Sequence, residues 1–154
     1  PATCAPRHLR SCWLVIAATI DRQVNRQVAV APSEDRIFCN VAGDPSAAPF
    51  LSPAVVDHSP VLIALSCGGN APVYSTILKA HVADHLPAGM RESVRLAGAL
   101  RERVNGACGD RERKRAFWAA FFRHAPLQQA LAQGHEQEVR QQVEWLIQRR
   151  LLSE

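Results

Sequence analysis

The order of three segments near the start of the chain constrains its fold more than any other feature. Residues 12–19 are an apolar run rich in β-branched side chains. Residues 21–31 set Val24 and Val28 at helical spacing, and residues 37–41 are a second apolar run. A continuous apolar strand is the signature of parallel sheet, where both faces are buried, so residues 12–19 are expected to be covered on both sides. Strand, helix, strand is then half of a doubly wound α/β unit. The helix is predicted to stop before Pro32, because a proline drives its predecessor out of the helical region. No strand with a G-x-G-x-x-G loop precedes this unit. A dinucleotide-binding fold built this way would have its phosphate-binding half outside the chain.

Gly43-Asp44-Pro45-Ser46 is a turn-rich exit from that unit. Residues 50–56 and 61–65 read as strands joined by a turn through Asp57, His58 and Pro60, with Pro53 confining the first to an edge or a bulge. The second strand breaks into Ser66-Cys67-Gly68-Gly69-Asn70, and residues 70–86 read as a helix with Val73, Ile77, Leu78 and Val82 on one face. Two glycines let backbone approach a ligand closely, and a helix start presents unpaired N–H groups to anions. An ordinary strand-to-helix turn has the same appearance.

Beyond Pro87-Ala88-Gly89 the texture becomes helical. Residues 90–104 carry Val94, Leu96, Ala97, Leu100 and Val104 for a core face, and residues 105–109 form a linker. Asp110 is a good N-cap for a helix bearing Phe117, Trp118, Phe121 and Phe122. Pro126 restarts the chain, and residues 136–152 give a final amphipathic helix. Short helices with so many aromatics suggest a compact bundle or an oligomer interface.

With 154 residues, 47% of them apolar and 21% charged, the chain is globular and fits one domain, or one small domain with part of another. It starts at Pro1, which reads as a processed or cut chain. Arg7 and Arg10 ahead of the first apolar run imitate a secretory signal, but its β-branched residues and the turn at Asp21 favour a buried strand. No apolar run approaches the roughly 20 residues of a membrane span, so a soluble protein without a membrane partner is expected. Cys4, Cys12, Cys39, Cys67 and Cys108 are odd in number, widely separated and without C-x-x-C. They suit a reducing cytoplasm rather than a disulfide framework or zinc site, with Cys12 and Cys39 buried.

The net charge of +4 is uneven. Residues 1–90 balance at six basic and six acidic, whereas residues 91–154 carry twelve and eight, densest at Arg111-Glu112-Arg113-Lys114-Arg115. A solvated helix face accounts for this pattern, and an anionic ligand or acidic partner would also use it. No arginine run is interleaved with stacking residues, so nucleic acid is not expected as a partner.

His81 and His85 lie one helical turn apart without a third ligand, so no metal site is expected. Asp44 and Asp57 each follow a strand near the glycine loop and are candidate general bases, or simply turn formers. Cys67, before a helix, is a candidate nucleophile with no identified histidine base. Ser59, His58 and Asp57 are sequence neighbours and cannot converge as a triad.

Cys12-Trp13-Leu14-Val15-Ile16-Ala17-Ala18-Thr19, then Val24-Asn25-Arg26-Gln27-Val28 and Ile37-Phe38-Cys39-Asn40-Val41, resemble the siroheme synthase family. The likeness is to its precorrin-2 dehydrogenase and sirohydrochlorin ferrochelatase module. It continues through Pro53, Asp57, Ser59-Pro60, Ser66-Cys67-Gly68-Gly69, Ala71-Pro72-Val73, Leu86-Pro87 and Arg113-Lys114-Arg115-Ala116-Phe117-Trp118. The resemblance implies an α/β protein in three parts. These are the C-terminal part of a Rossmann-like, NAD-binding doubly wound sheet (1–49), a small central β-α segment (50–87) and an α-helical dimerisation domain (88–154).

The implied chemistry is NAD-dependent oxidation of precorrin-2 to sirohydrochlorin, then insertion of substrate Fe2+ to give siroheme. The implied partners are a tetrapyrrole polycarboxylate and a second copy of the chain. In the bifunctional bacterial form a methyltransferase domain follows, and this chain would stop just short of it. The resemblance carries cofactor binding to Thr19 and Asn25, substrate contact to Ser66, Cys67, Gly68, Gly69 and Lys79, and proton removal to Asp44. Three departures stand out. The phosphate loop would precede Pro1. The family's aspartate directly follows Asn-Val-Val, whereas here Gly43 intervenes and the carboxylate arrives at Asp44. Cys67 replaces a serine associated with phosphorylation, and Thr76 and His81 stand where the family usually carries basic residues. The competing expectation is a non-catalytic dimerisation scaffold.

Overall fold

The structure, a computed structural model, describes residues 9, 12–34 and 37–152, without the side chains of 31–34. Arg7, Arg10 and Cys4 lie outside the described residues. The chain divides into two compact units, Pro1–Val55 with Ala64–His81 and Val56–Ile63 with Val82–Glu154.

In the first unit β1 (Leu14–Ala17) and β2 (Phe38–Val41) pair in parallel, joined by α1 (Arg22–Glu34). The register sets Leu14 beside Phe38 and Val15 beside Cys39. Alternation across the pleat then sends Val15, Ala17, Cys39 and Val41 to one face. There they pack with Val24 and Val28 of α1, and Cys39 is almost fully buried while Cys12 is partly so. The opposite face is not covered: Leu14, Ile16 and Phe38 are 55%, 56% and 61% exposed. The expectation of a strand buried on both faces is corrected accordingly, because α1 supplies only one covering layer. The helix also runs through Pro32 to Glu34 instead of stopping before it. A proline near a helix end sacrifices one backbone hydrogen bond without requiring the chain to turn there.

After β2 a 3₁₀ turn (Pro45–Ala47) leads to β3 (Ala54–His58) and β4 (Val61–Leu65), which form a two-stranded sheet. β3 begins only after Pro53, which has no N–H for the ladder, and it continues through Asp57 and His58. The turn is therefore Ser59-Pro60 alone, not the longer one predicted. α2 (Pro72–Asp84) buries none of its side chains fully. Of the predicted core face, Leu78 and Val82 are half-buried, whereas Val73 and Ile77 are exposed.

The second unit contains α3 (Met90–Ala107), α4 (Arg111–Arg123), α5 (Ala125–Gln133) and α6 (Glu136–Ile147), ending in a π-helical turn (Gln148–Leu152). α3 absorbs much of the predicted linker. Asp110 caps α4 as expected, its carboxylate accepting from Glu112 N–H at 2.8 Å. Val104, Phe117, Phe121, Leu127, Val143, Leu146, Ile147 and Leu151 form the core. Phe117 meets Trp118 edge-on with ring centres 5.0 Å apart, and Phe121 meets Phe122 likewise at 5.1 Å. Ser93 donates from α3 to Gln128 of α5 at 2.5 Å, and Gln128 donates onward to the Phe121 carbonyl of α4. Arg103 grips Glu144 through two 2.6 Å bonds, joining α3 to α6. Among the described residues no helix is long and apolar enough to cross a membrane.

Phe121 is fully buried and Phe122 is 45% exposed, which provides an internal comparison. Phe121→Ala should destabilise the helical unit by about 3–5 kcal/mol in urea unfolding followed by helical circular dichroism. Phe122→Ala should cost no more than about 1 kcal/mol.

Candidate functional site

A cavity of about 580 Å³ opens within the first unit. One wall is the exit from β2, with Asn40, Gly43 and Pro45; the other is the loop Ser66, Cys67 and Gly69, followed by Pro72, Ser75 and Thr76 of α2. Asn40, 6% exposed, donates to the Phe50 carbonyl at 2.8 Å and so holds the segment that closes the cavity floor.

The loop owes its shape to its glycines and to local hydrogen bonds. Gly68 and Gly69 have φ of +61° and +79°, in the left-handed region that disfavours a Cβ. Gly68 N–H donates to Ser66 Oγ at 3.2 Å, and Asn70 N–H closes a turn onto the Cys67 carbonyl at 3.1 Å. At Gly69 a Cβ would also fall 2.9 Å from Pro45 Cβ and 3.2 Å from Leu51 Cδ1. The close approach is thus between the two walls, at Gly69 and Pro45.

Asp44 lies between wall residues Gly43 and Pro45, yet its side chain is not part of the wall. Oδ2 accepts from Arg26 Nε at 2.8 Å and Oδ1 accepts from Ser46 Oγ at 2.6 Å. The Ser46 hydroxyl and then the Arg26 guanidinium hold its pKa below the ordinary 3.8. Cys67 is the one titratable side chain on the wall among the described residues. Asp57 is also held below its ordinary value, chiefly by Ser59, whose Oγ and N–H donate to it at 2.7 and 2.9 Å. It fixes the hairpin turn.

Thr19 and Asn25 meet each other rather than the cavity. Asn25 is 2% exposed; its Oδ1 accepts from Thr19 N–H at 2.9 Å and its Nδ2 donates to the Thr19 carbonyl at 2.9 Å. Lys79 is exposed on α2 and is not on the wall. The structure therefore brings Ser66, Cys67 and Gly69 together, with Gly68 shaping their loop and Asp44 just behind the opposite wall. His81 and His85 are exposed, and among the described residues no cluster of three or more His, Cys, Asp or Glu could hold a metal ion. Sequence reasoning missed Arg26 and Ser46. Only the parallel register of β1 and β2, which sets where α1 lies, could have pointed from Arg26 to residue 44.

Residues 91–147 match the family described as "Sirohaem synthase dimerisation region", and residues 2–54 match the family described as "Putative NAD(P)-binding". The chain is similar to the siroheme synthase of Salmonella typhi, 41% identical over 138 residues that cover 90% of this chain and 30% of that protein. To the siroheme synthase of Salmonella paratyphi B it is 42% identical over 131 residues, 85% of this chain and 29% of that protein. Fold and matches together define a mixed α/β protein, with an NAD-binding, Rossmann-like region followed by a helical dimerisation region. The similarity to siroheme synthases runs through both of these regions of the chain. The chain spans about 30% of the length of the relatives it matches.

The described residues offer an NAD cofactor a sheet edge but no phosphate cradle. The turn at Thr19 lies at the carboxyl end of β1, the edge of a parallel sheet that receives such ligands. The start of α1 does not suit a pyrophosphate, because Asp21 Oδ1 already accepts from Gln23 and Val24 N–H, at 2.8 and 3.3 Å. A phosphate there would meet a carboxylate instead of open donors.

Gly69→Ala should lower thermal stability by about 2 kcal/mol or more and displace the loop, whereas Gly68→Ala should show only the backbone cost of about 1–2 kcal/mol. At Gly68 a Cβ would make an ordinary 3.6 Å contact with the Asn70 side chain. The folded-state pKa of Asp44 is depressed, so its contribution to stability is complete above the ordinary value of 3.8 and is lost as pH falls through the folded value. Asp44→Asn should flatten the acid limb of the stability-against-pH curve, measured by urea unfolding between pH 2 and 5.

Proposed function

We propose that this protein is a homodimeric module of siroheme biosynthesis. It would oxidise precorrin-2 to sirohydrochlorin with NAD+ and insert Fe2+ to give siroheme. In the first step the substrate loses a hydride and a proton, yielding sirohydrochlorin, NADH and H+. In the second, two macrocycle N–H protons are exchanged for Fe2+. NAD+, when bound, supplies the hydride acceptor. The observation that carries this reading is the 41% identity extending over 90% of the chain, through both the NAD-binding and the dimerisation regions.

In this reading residues 1–49, 50–87 and 88–154 are the cofactor, central and dimerisation domains. Asn25 holds the Thr19 turn open toward the cofactor. Ser66, Cys67, Gly68 and Gly69 lie along the tetrapyrrole, and Lys79 pairs with one of its carboxylates. α2 supports this placement, since its first turn faces the cavity and contains no acidic residue. Asp44 takes the proton. Its carboxylate is already ionised at neutral pH, held so by Ser46 and Arg26. A cytoplasmic location suits the thiols of Cys39, Cys67 and Cys108.

One observation favours a second reading, a non-catalytic dimerisation scaffold. The cavity wall bears no carboxylate, and Asp44 points instead to Arg26.

Turnover of precorrin-2 with NAD+, followed by NADH absorbance and then by siroheme formation on adding Fe2+, separates the two. The enzyme reading expects both signals, and their loss in a folded Asp44→Ala variant. Full activity in that variant would remove Asp44 from the mechanism. A sedimenting dimer with no NAD+ binding and no turnover would establish the scaffold.

A further inference from the structure

We infer that Arg26 is a positioning residue of the cavity, acting through Asp44 and Pro45 on the glycine loop. Asn25 and Arg26 are consecutive on α1, one 2% exposed and turned into the β1–α1 turn, the other with its side chain 70% exposed. Arg26 reaches 18 residues along the sequence to fix the Asp44 carboxylate at 2.8 Å. Asp44 directly precedes Pro45, and Pro45 lies so close to Gly69 that a single added Cβ would come within 2.9 Å. The two walls leave no room for a side chain at this point, so a shift at residue 44 would be felt at Gly69.

The turn is tied to the end of β2 by Asp44 N–H, which donates to the Val41 carbonyl at 3.1 Å, and Arg26 adds a side-chain tether from α1. Gly43 has φ of +79° and open space around it, with nothing within 4 Å of where a Cβ would stand. Ser46 restrains the same carboxylate, but from within the same turn, so it cannot hold that turn in place. Among the described residues Arg26 is the charged group acting on Asp44. With the Arg26 side chain 70% exposed and that of Asp44 20% exposed, the pair contributes modestly to stability, and its effect is on where the turn sits. One helix turn thereby registers three loops: Thr19 through Asn25, residue 44 through Arg26, and the glycine loop through Pro45.

The inference extends the proposed function by adding a residue to the same site, and its test has one arm independent of activity. In the Arg26→Gln protein the melting temperature should move by no more than a few degrees. The amide resonances of Gly68 and Gly69 should shift, and the Asp44 carboxyl carbon should titrate closer to the ordinary value of 3.8. Arg26→Lys keeps the charge without the planar donor, so it should restore part of the Asp44 titration and less of the Gly69 shift. With precorrin-2 and NAD+, kcat should fall roughly 10- to 100-fold in Arg26→Gln, with KM changing less. Unchanged Gly68 and Gly69 resonances in Arg26→Gln would overturn the inference. Absence of turnover in the parent protein would count against the proposed function while the resonances still decide the role of Arg26.

Discussion

The first unit depends on how the amide of Asn25 is used. A buried amide left without partners costs about 1–3 kcal/mol, and here both of its polar atoms close on the backbone of Thr19. That fixes the entry of α1 relative to the end of β1. Once Asn25 faces inward, Arg26 is set about a quarter-turn further around the helix and faces solvent on the side of the β2 exit. The ion pair with Asp44, and through Pro45 the spacing of the cavity walls, follows from that one orientation.

The two units hold together by different means. The helical unit closes on large side chains, with Phe117, Phe121, Leu127 and Leu146 almost completely buried. Its buried polar link, Ser93 to Gln128 to the Phe121 carbonyl, is satisfied at each step. The first unit has a thinner core of Ala17, Val28, Ile37, Cys39 and Val41, and its sheet keeps an apolar outer face. Parallel strands are normally covered on both faces. Leu14, Ile16 and Phe38 therefore present a surface whose chemistry suits burial, even though one helix suffices to set the strand register.

What the sequence made legible was whatever periodicity and caps encode locally. The strand–helix–strand order, the Asp110 cap and the aromatic core of α4 are of that kind. Pro53 and Pro32 show the limit: the same residue type delays a strand at one position and is accepted in the last turns of a helix at the other. The glycine loop was legible as a close approach, but not what it approaches, because Pro45 and Gly69 are distant in sequence. Asp44 was the least legible. A carboxylate beside a turn glycine can point into the cavity or out of it, and here it is held by Ser46 within the turn and by Arg26, eighteen residues away.

The starts of α1 and α2 differ electrostatically. Both helices follow strands, and both would ordinarily offer free N–H groups to an anion. At α1 the Asp21 carboxylate has taken those donors and placed a negative charge there. At α2 the first turn, Pro72, Val73, Tyr74 and Ser75, holds no acid, and Pro72 and Ser75 line the cavity. The partial positive charge of a helix start is thus cancelled on the β1 side and retained on the loop side. An anion would meet a carboxylate at the start of α1 and no acidic side chain in the first turn of α2. That asymmetry comes from one aspartate in the β1–α1 turn and from the lack of an acid in the first turn of α2.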